Sequence, residues 1–174
     1  MWILLLLALS LFGLDAATKY WAQNHLVNIS YASPFYPYGG IGVFKDVLGI
    51  DFCINLVKNK GGAWGVFSNF PVLLLCIRIG IICALGVYAL FLNKVRMRTV
   101  PFLLILVGAT ANIIDFFVYG AVVDMFHFIL WNYSFPVFNV ADMLIFFGVT
   151  TLLTQTLIEK FKREPSHETQ PSKS

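Results

Sequence analysis

Four long apolar stretches are separated by polar or aromatic connections, and this pattern is the strongest signal along the chain. The stretches run over about 1–22, 71–92, 99–119 and 139–158. Each is close to the ~20 residues that an α-helix needs to cross a bilayer. Between the first and second lies a polar, glycine-rich stretch, 23–69. It carries Pro34, Pro37, Gly39, Gly40 and Gly42 and then a strand-like run from Ile50 to Val57, which predicts a small extramembrane sheet or ribbon. The connection from Gly120 to Phe138 is aromatic and carries Pro136. The fold expected is an all-α membrane protein: four transmembrane helices with a small extracytoplasmic β-sheet or ribbon. It forms one domain over 1–160, followed by a polar tail over 161–174.

Composition agrees with a lipid solvent. Hydrophobic residues make up 59% of the 174-residue chain and charged residues only 12%, against roughly 25% charged in soluble domains. A net charge of +3 is too small and too scattered to suggest nucleic acid. The apolar start, Trp2 to Leu14, lacks a basic leader and a small-x-small cleavage pattern, and Asp15 and Lys19 follow directly. It reads as a retained first span. Cys53, Cys76 and Cys83 show no metal-ligand spacing and read as small hydrophobes.

Basic residues set the orientation. Lys94, Arg96 and Arg98 crowd the second loop, and Lys160, Lys162 and Arg163 follow the fourth span, whereas 120–138 has no Lys or Arg. The positive-inside rule therefore puts both termini in the cytoplasm and both longer connections outside. A helical rise of 1.5 Å per residue then gives depths. By that rise Asp15 lies about 22 Å from the inner end of its span, Arg78 about 24 Å from Lys94, Asp115 about 25 Å from Arg98 and Asp142 about 27 Å from Lys160. Every charge embedded in a span thus falls in one layer near the outer surface, and Asp124, just past Gly120, belongs to it. A transporter would place such groups nearer the midplane.

Asp124 and Asp142 sit in apolar surroundings, Val122-Val123-Asp124-Met125 and Val140-Ala141-Asp142-Met143. A carboxylate there is costly to ionise and reads as functional by default. The ordinary alternative for both is helix or interface capping. Asp15 and Lys19, spaced i and i+4, can form an ion pair that is purely structural. Asn112 with Asp115, and Asn139 with Asp142, are i,i+3 pairs in which an amide can orient the carboxylate on its own helix. For Arg78 the favoured reading is snorkelling towards lipid phosphates, and for His127 a place at the membrane interface. HExxH, GxSxG, P-loop and GxGxxG patterns are absent, which disfavours zinc, serine and nucleotide chemistry. Two carboxylates sharing a proton remain, and such a pair can hydrolyse a peptide bond.

Five blocks carry a family resemblance: Asp15-Ala16-Ala17-Thr18-Lys19, Asn59-Lys60-Gly61-Gly62-Ala63-Trp64-Gly65, Gly108-Ala109-Thr110-Ala111-Asn112-Ile113-Ile114-Asp115, Val122-Val123-Asp124 and Phe138-Asn139-Val140-Ala141-Asp142. In this order, on four spans, the chain resembles bacterial lipoprotein signal peptidase (signal peptidase II). The resemblance implies a metal-free, cofactor-free aspartyl endopeptidase of the bacterial cytoplasmic membrane, working as a monomer among membrane lipids near the outer leaflet. Its substrates would be diacylglyceryl-modified prolipoproteins, cut before the lipidated cysteine. It further implies Asp124 and Asp142 as catalytic residues. Asp15, Lys19, Asn59, Gly61, Ala63, Asn112, Asp115, Asn139 and Ala141 would support the site or contact substrate. The chain departs from the family where Phe116 replaces an arginine and Met125 a phenylalanine. Two other functions stay open at this point: a family member that binds precursors without cutting them, and a small transporter or channel with an acidic outer vestibule.

Overall fold

The computed structural model describes residues 2–26, 40–60 and 69–163. Among these residues, four helices are long and apolar enough to cross a membrane. Helix α1 is Trp2–His25, α2 is Pro71–Val87, α3 is Thr99–Tyr119 and α4 is Val140–Arg163. A π turn, Tyr88–Leu92, extends α2 to the expected end of its span. Helix α4 continues past the expected boundary near Ile158 to Arg163. Pro71 at the start of α2 supplies a pre-set φ where its missing N–H costs nothing. Large apolar side chains lie exposed along all four helices, such as Leu9, Leu73, Phe117 and Phe147. In water this would be untenable; against lipid tails it is the ordinary outer surface of a bundle.

Helices α3 and α4 pack most extensively, and small residues mark their crossing. A Cβ added at Gly108 would collide with the Ala141 carbonyl oxygen, and one at Gly148 would lie 2.7 Å from the Pro101 carbonyl oxygen. The backbones therefore approach as closely as glycine allows. Gly108→Val is expected to force α3 and α4 apart and to cost about 1–3 kcal/mol of stability. A lowered thermal unfolding midpoint of the purified protein is the check, and an unchanged midpoint would refute the tight crossing. At the opposite end, Arg98 pairs with Glu159 at 2.8 Å and Gln155 donates to the Met97 carbonyl at 3.1 Å, joining the start of α3 to the end of α4.

The described strands form one antiparallel sheet in the order β1 (Ile41–Val47), β2 (Ile50–Asn59), β3 (Val122–Leu130) and β4 (Tyr133–Ser134). The expected ribbon at 50–57 is therefore real but longer. The aromatic connection, read from sequence only as a loop, supplies half of the sheet. Its strand was hidden because Val122–Leu130 is apolar at most positions in sequence, although its burial alternates from Phe126 onward. Its turn was hidden because Trp131 and Asn132 adopt φ of 47° and 66°, a primed hairpin turn without the usual glycine. Gly120, at φ 72°, ends α3 and donates its N–H to the Phe116 carbonyl at 3.1 Å. That left-handed cap turns the chain from α3 directly into β3.

Candidate active site

The polar layer inferred from charge bias becomes one connected network where α1, α3, α4 and β3 meet. Lys19 lies at its centre with no exposed surface. Its ammonium reaches Asp15 Oδ2 at 2.7 Å, Asp115 Oδ2 at 2.7 Å and Asn112 Oδ1 at 2.9 Å, which occupies all three of its donors. Asp15 Oδ1 accepts from the Ala141 N–H at 2.8 Å, and Asp115 Oδ2 accepts from the Val123 N–H at 3.2 Å. One buried cation thus ties α1 to the beginning of α4 and to the beginning of β3. Ala141 enters the site through its backbone.

These bonds fix which way the neighbouring amides point. Asn112 must turn Oδ1 towards Lys19, a donor, so its Nδ2 faces outward and donates to Asp142 Oδ1 at 2.8 Å. Asn139 precedes α4 and caps it: its Oδ1 accepts from the Asp142 N–H at 2.8 Å, while Asp142 Oδ2 accepts from the Asn139 N–H at 3.4 Å. This reciprocal pattern is a capping box with aspartate in place of glutamate. With its oxygen so engaged, Asn139 presents Nδ2 to Asp124 Oδ1 at 2.7 Å and to the Val123 carbonyl at 3.2 Å. The sequence-derived expectation is half corrected here. Asn139 does orient Asp142 on its own helix, but Asn112 serves Asp142 across the helix interface and leaves Asp115 to Lys19.

Asn59 completes the set from the sheet. Its Nδ2 donates to Asp124 Oδ2 at 2.9 Å. The contact depends on a bulge: pairing runs Ile54 with Phe126 but Val57 with Asp124 and Asn59 with Val122. The extra residue in β2 re-aims the last residues of the strand towards the helices. Asp124 is buried, and desolvation together with the Asp142 charge raises its carboxyl from the ordinary value to about 7 despite the two amide donors. Gly61 and Ala63 lie outside the described residues.

Asp124 and Asp142 border one cavity of about 250 Å³, whose wall also includes Asn59, Asn112, Arg78 and the segment Phe135–Phe138. Arg78, expected from sequence to snorkel towards lipid phosphates, is half-buried and borders this cavity. Beside it, Asp142 and Phe138 also border an apolar cavity of about 410 Å³ with Met143, Phe146 and Phe147. His127, expected at the interface, is buried on the sheet: Asn55 Nδ2 approaches its Nδ1 at 2.8 Å and Ser134 Oγ its Nε2 at 2.8 Å. It joins β2 to β4, and burial lowers its pKa. Cys53, next to it, is fully buried with its thiol pushed up to about 11 by burial, which fits filler rather than nucleophile.

A four-span membrane protein whose paired carboxylates share a cavity at the junction of bundle and sheet is the class that these features define. The profile of the signal peptidase (SPase) II family matches residues 7–158. The chain therefore belongs to the signal peptidase II family. It is 34% identical over 171 residues to a lipoprotein signal peptidase of Deinococcus radiodurans, covering 94% of this chain and 83% of the relative. A lipoprotein signal peptidase of Chlamydia pneumoniae is 39% identical over 104 residues, a match spanning 59% of this chain and 62% of the relative. A solved bacterial membrane enzyme superposes with a TM-score of 0.73 at 25% identity, covering 98% of this chain and 96% of that one.

Proposed function

We propose that the chain is an aspartyl endopeptidase that hydrolyses the peptide bond before the lipidated cysteine of diacylglyceryl-modified prolipoproteins. The observation that carries the reading is the pair Asp124 and Asp142 on one cavity, each bonded by amides whose orientation is dictated from behind, in a member of a signal peptidase family. Water held between the carboxyl groups loses a proton to the ionised member as its oxygen attacks the scissile carbonyl carbon. The protonated member donates to the carbonyl oxygen, giving a neutral tetrahedral intermediate. Its collapse breaks the C–N bond, with a proton delivered to the leaving nitrogen of the cysteine. The amides hold the two carboxyl groups without supplying charge, so one proton can be shared between them.

The lipid anchor would supply much of the positioning. Each buried methylene contributes about 0.8 kcal/mol, and a diacylglyceryl group embedded in the outer leaflet would hold its cysteine at the depth of the site. This reading sets the protein as a monomer in the bacterial cytoplasmic membrane, with both termini inside and the sheet resting on the outer surface among lipids. The test is incubation of purified full-length protein with a diacylglyceryl-modified precursor in lipid. The expected result is release of the signal peptide, leaving the lipidated cysteine as the new N-terminus, at a rate unchanged by a strong chelator. Intact precursor bound to the protein, or loss of cleavage on chelation, would overturn the mechanism.

A further inference from the structure

Arg78 is the residue on the cavity wall for which the network described above has no use. It lies in α2, a helix with no buried residue, yet it is itself half-buried and faces the cavity that holds Asp124 and Asp142. Its guanidinium makes no hydrogen bond or ion pair among the described residues. Lys19, the buried cation of the network, has all three donors committed. A guanidinium offers five N–H donors in a planar fork and remains charged at any physiological pH. Half-buried on the cavity wall and unbonded to any described residue, it is poised for an oxygen brought by a ligand.

We propose that Arg78 is a substrate-binding residue whose guanidinium donates to a carbonyl oxygen of the lipid-modified cysteine segment, a role that rests on the peptidase reading above. A carboxylate or phosphate ligand would bring negative charge against Asp124 and Asp142. A carbonyl is neutral, so the cavity accepts it without repulsion. Two kinds of carbonyl fit this chemistry: the esters of the diacylglyceryl group and the peptide carbonyls beside the scissile bond. The apolar cavity next door shares Phe135, Phe138 and Asp142 with this one, so an acyl chain lying there would leave its ester at the mouth of the polar cavity.

Steady-state cleavage of the precursor by Arg78→Gln in the full-length protein is the test. KM is expected to rise about tenfold or more, with kcat within about threefold of the parent. Because Arg78 bonds no other described side chain, the thermal unfolding midpoint is expected to stay where it is. Arg78→Lys, which keeps the charge and loses the fork, is expected to give an intermediate KM. A precursor carrying a dialkylglyceryl group, with ethers in place of esters, separates the two sources. If the ester is bound, the parent's KM rises on the ether substrate and Arg78→Gln adds nothing further. If a peptide carbonyl is bound, the substitution raises KM equally on both. An unchanged KM on both substrates, or a fall in kcat alone, overturns the proposal and returns Arg78 to the lipid phosphates. Precursor binding by Asp124→Asn, with and without Arg78→Gln, reads the same contact without turnover. A parent that cuts nothing while Arg78→Gln still weakens binding would therefore overturn the peptidase reading and not this one.

Discussion

Asp124→Asn and Asp142→Asn are each expected to abolish precursor cleavage, by about three orders of magnitude or more. The substitutions change volume hardly at all, so packing around the cavity is kept. An amide can neither take up the proton of water nor give one to the carbonyl oxygen. Asp124 carries a second consequence, because both of its oxygens already accept from amide donors, Asn139 Nδ2 at 2.7 Å and Asn59 Nδ2 at 2.9 Å. Asparagine at 124 must turn its own NH₂ against one of them, which disturbs the site even where the fold survives. Retained binding of precursor, measured beside activity, distinguishes lost chemistry from lost structure. The pH profile supplies the matching test. Burial and the Asp142 charge raise the Asp124 carboxyl to about 7. It therefore holds its proton below that pH and gives it up above, and kcat/KM is expected to fall as pH rises through about 7. Activity that persists in both asparagine variants would remove the carboxylates from the mechanism.

Lys19→Met is expected to be the most damaging change outside the pair. Methionine fills similar space but leaves Asp15 and Asp115 buried, close together and without their common cation. Breaking a buried ion pair by removing one partner costs about 3–5 kcal/mol, enough to take a marginal membrane protein below its folding threshold. The damage should spread along the bonds that radiate from Lys19: freed of that donor, Asn112 can flip and present its oxygen to Asp142. Thermal unfolding and expression of folded protein measure the first effect. The triple replacement of Asp15, Lys19 and Asp115 by apolar residues of similar size measures the second. It is expected to regain stability, since no charge is stranded, but to regain little cleavage. If Lys19→Met were as stable and as active as the parent, the network would be ornamental.

The sequence made the bundle and the layer of the site legible, and for identifiable reasons. Long apolar runs and a biased distribution of basic residues are one-dimensional signals, and a fixed helical rise converts them into depth. That arithmetic put Asp15, Asp115 and Asp142 together before any contact was known. Partners across helices were illegible, because spacing along one helix says nothing about its rotation against another. Asn112 was therefore matched with Asp115, three residues away, when it serves Asp142 on α4. For Arg78, too, depth was readable and direction was not. The β3–β4 hairpin escaped because its strand is apolar at most positions in sequence and its turn is made by Trp131 and Asn132 without the glycine that usually marks such a turn.

Asn139 has a consequence for how such a protein can be altered. A single side chain closes the end of a helix and also holds the Asp124 carboxyl group of a strand, so sheet and bundle are not interchangeable parts. A chimera that grafts a relative's extramembrane sheet onto these helices inherits a working centre only if Asn59 and Asp124 arrive in register with Asn112 and Asn139. Grafts that break the register by a single residue would fold as a sheet on a bundle and leave the two carboxyl groups strangers to each other.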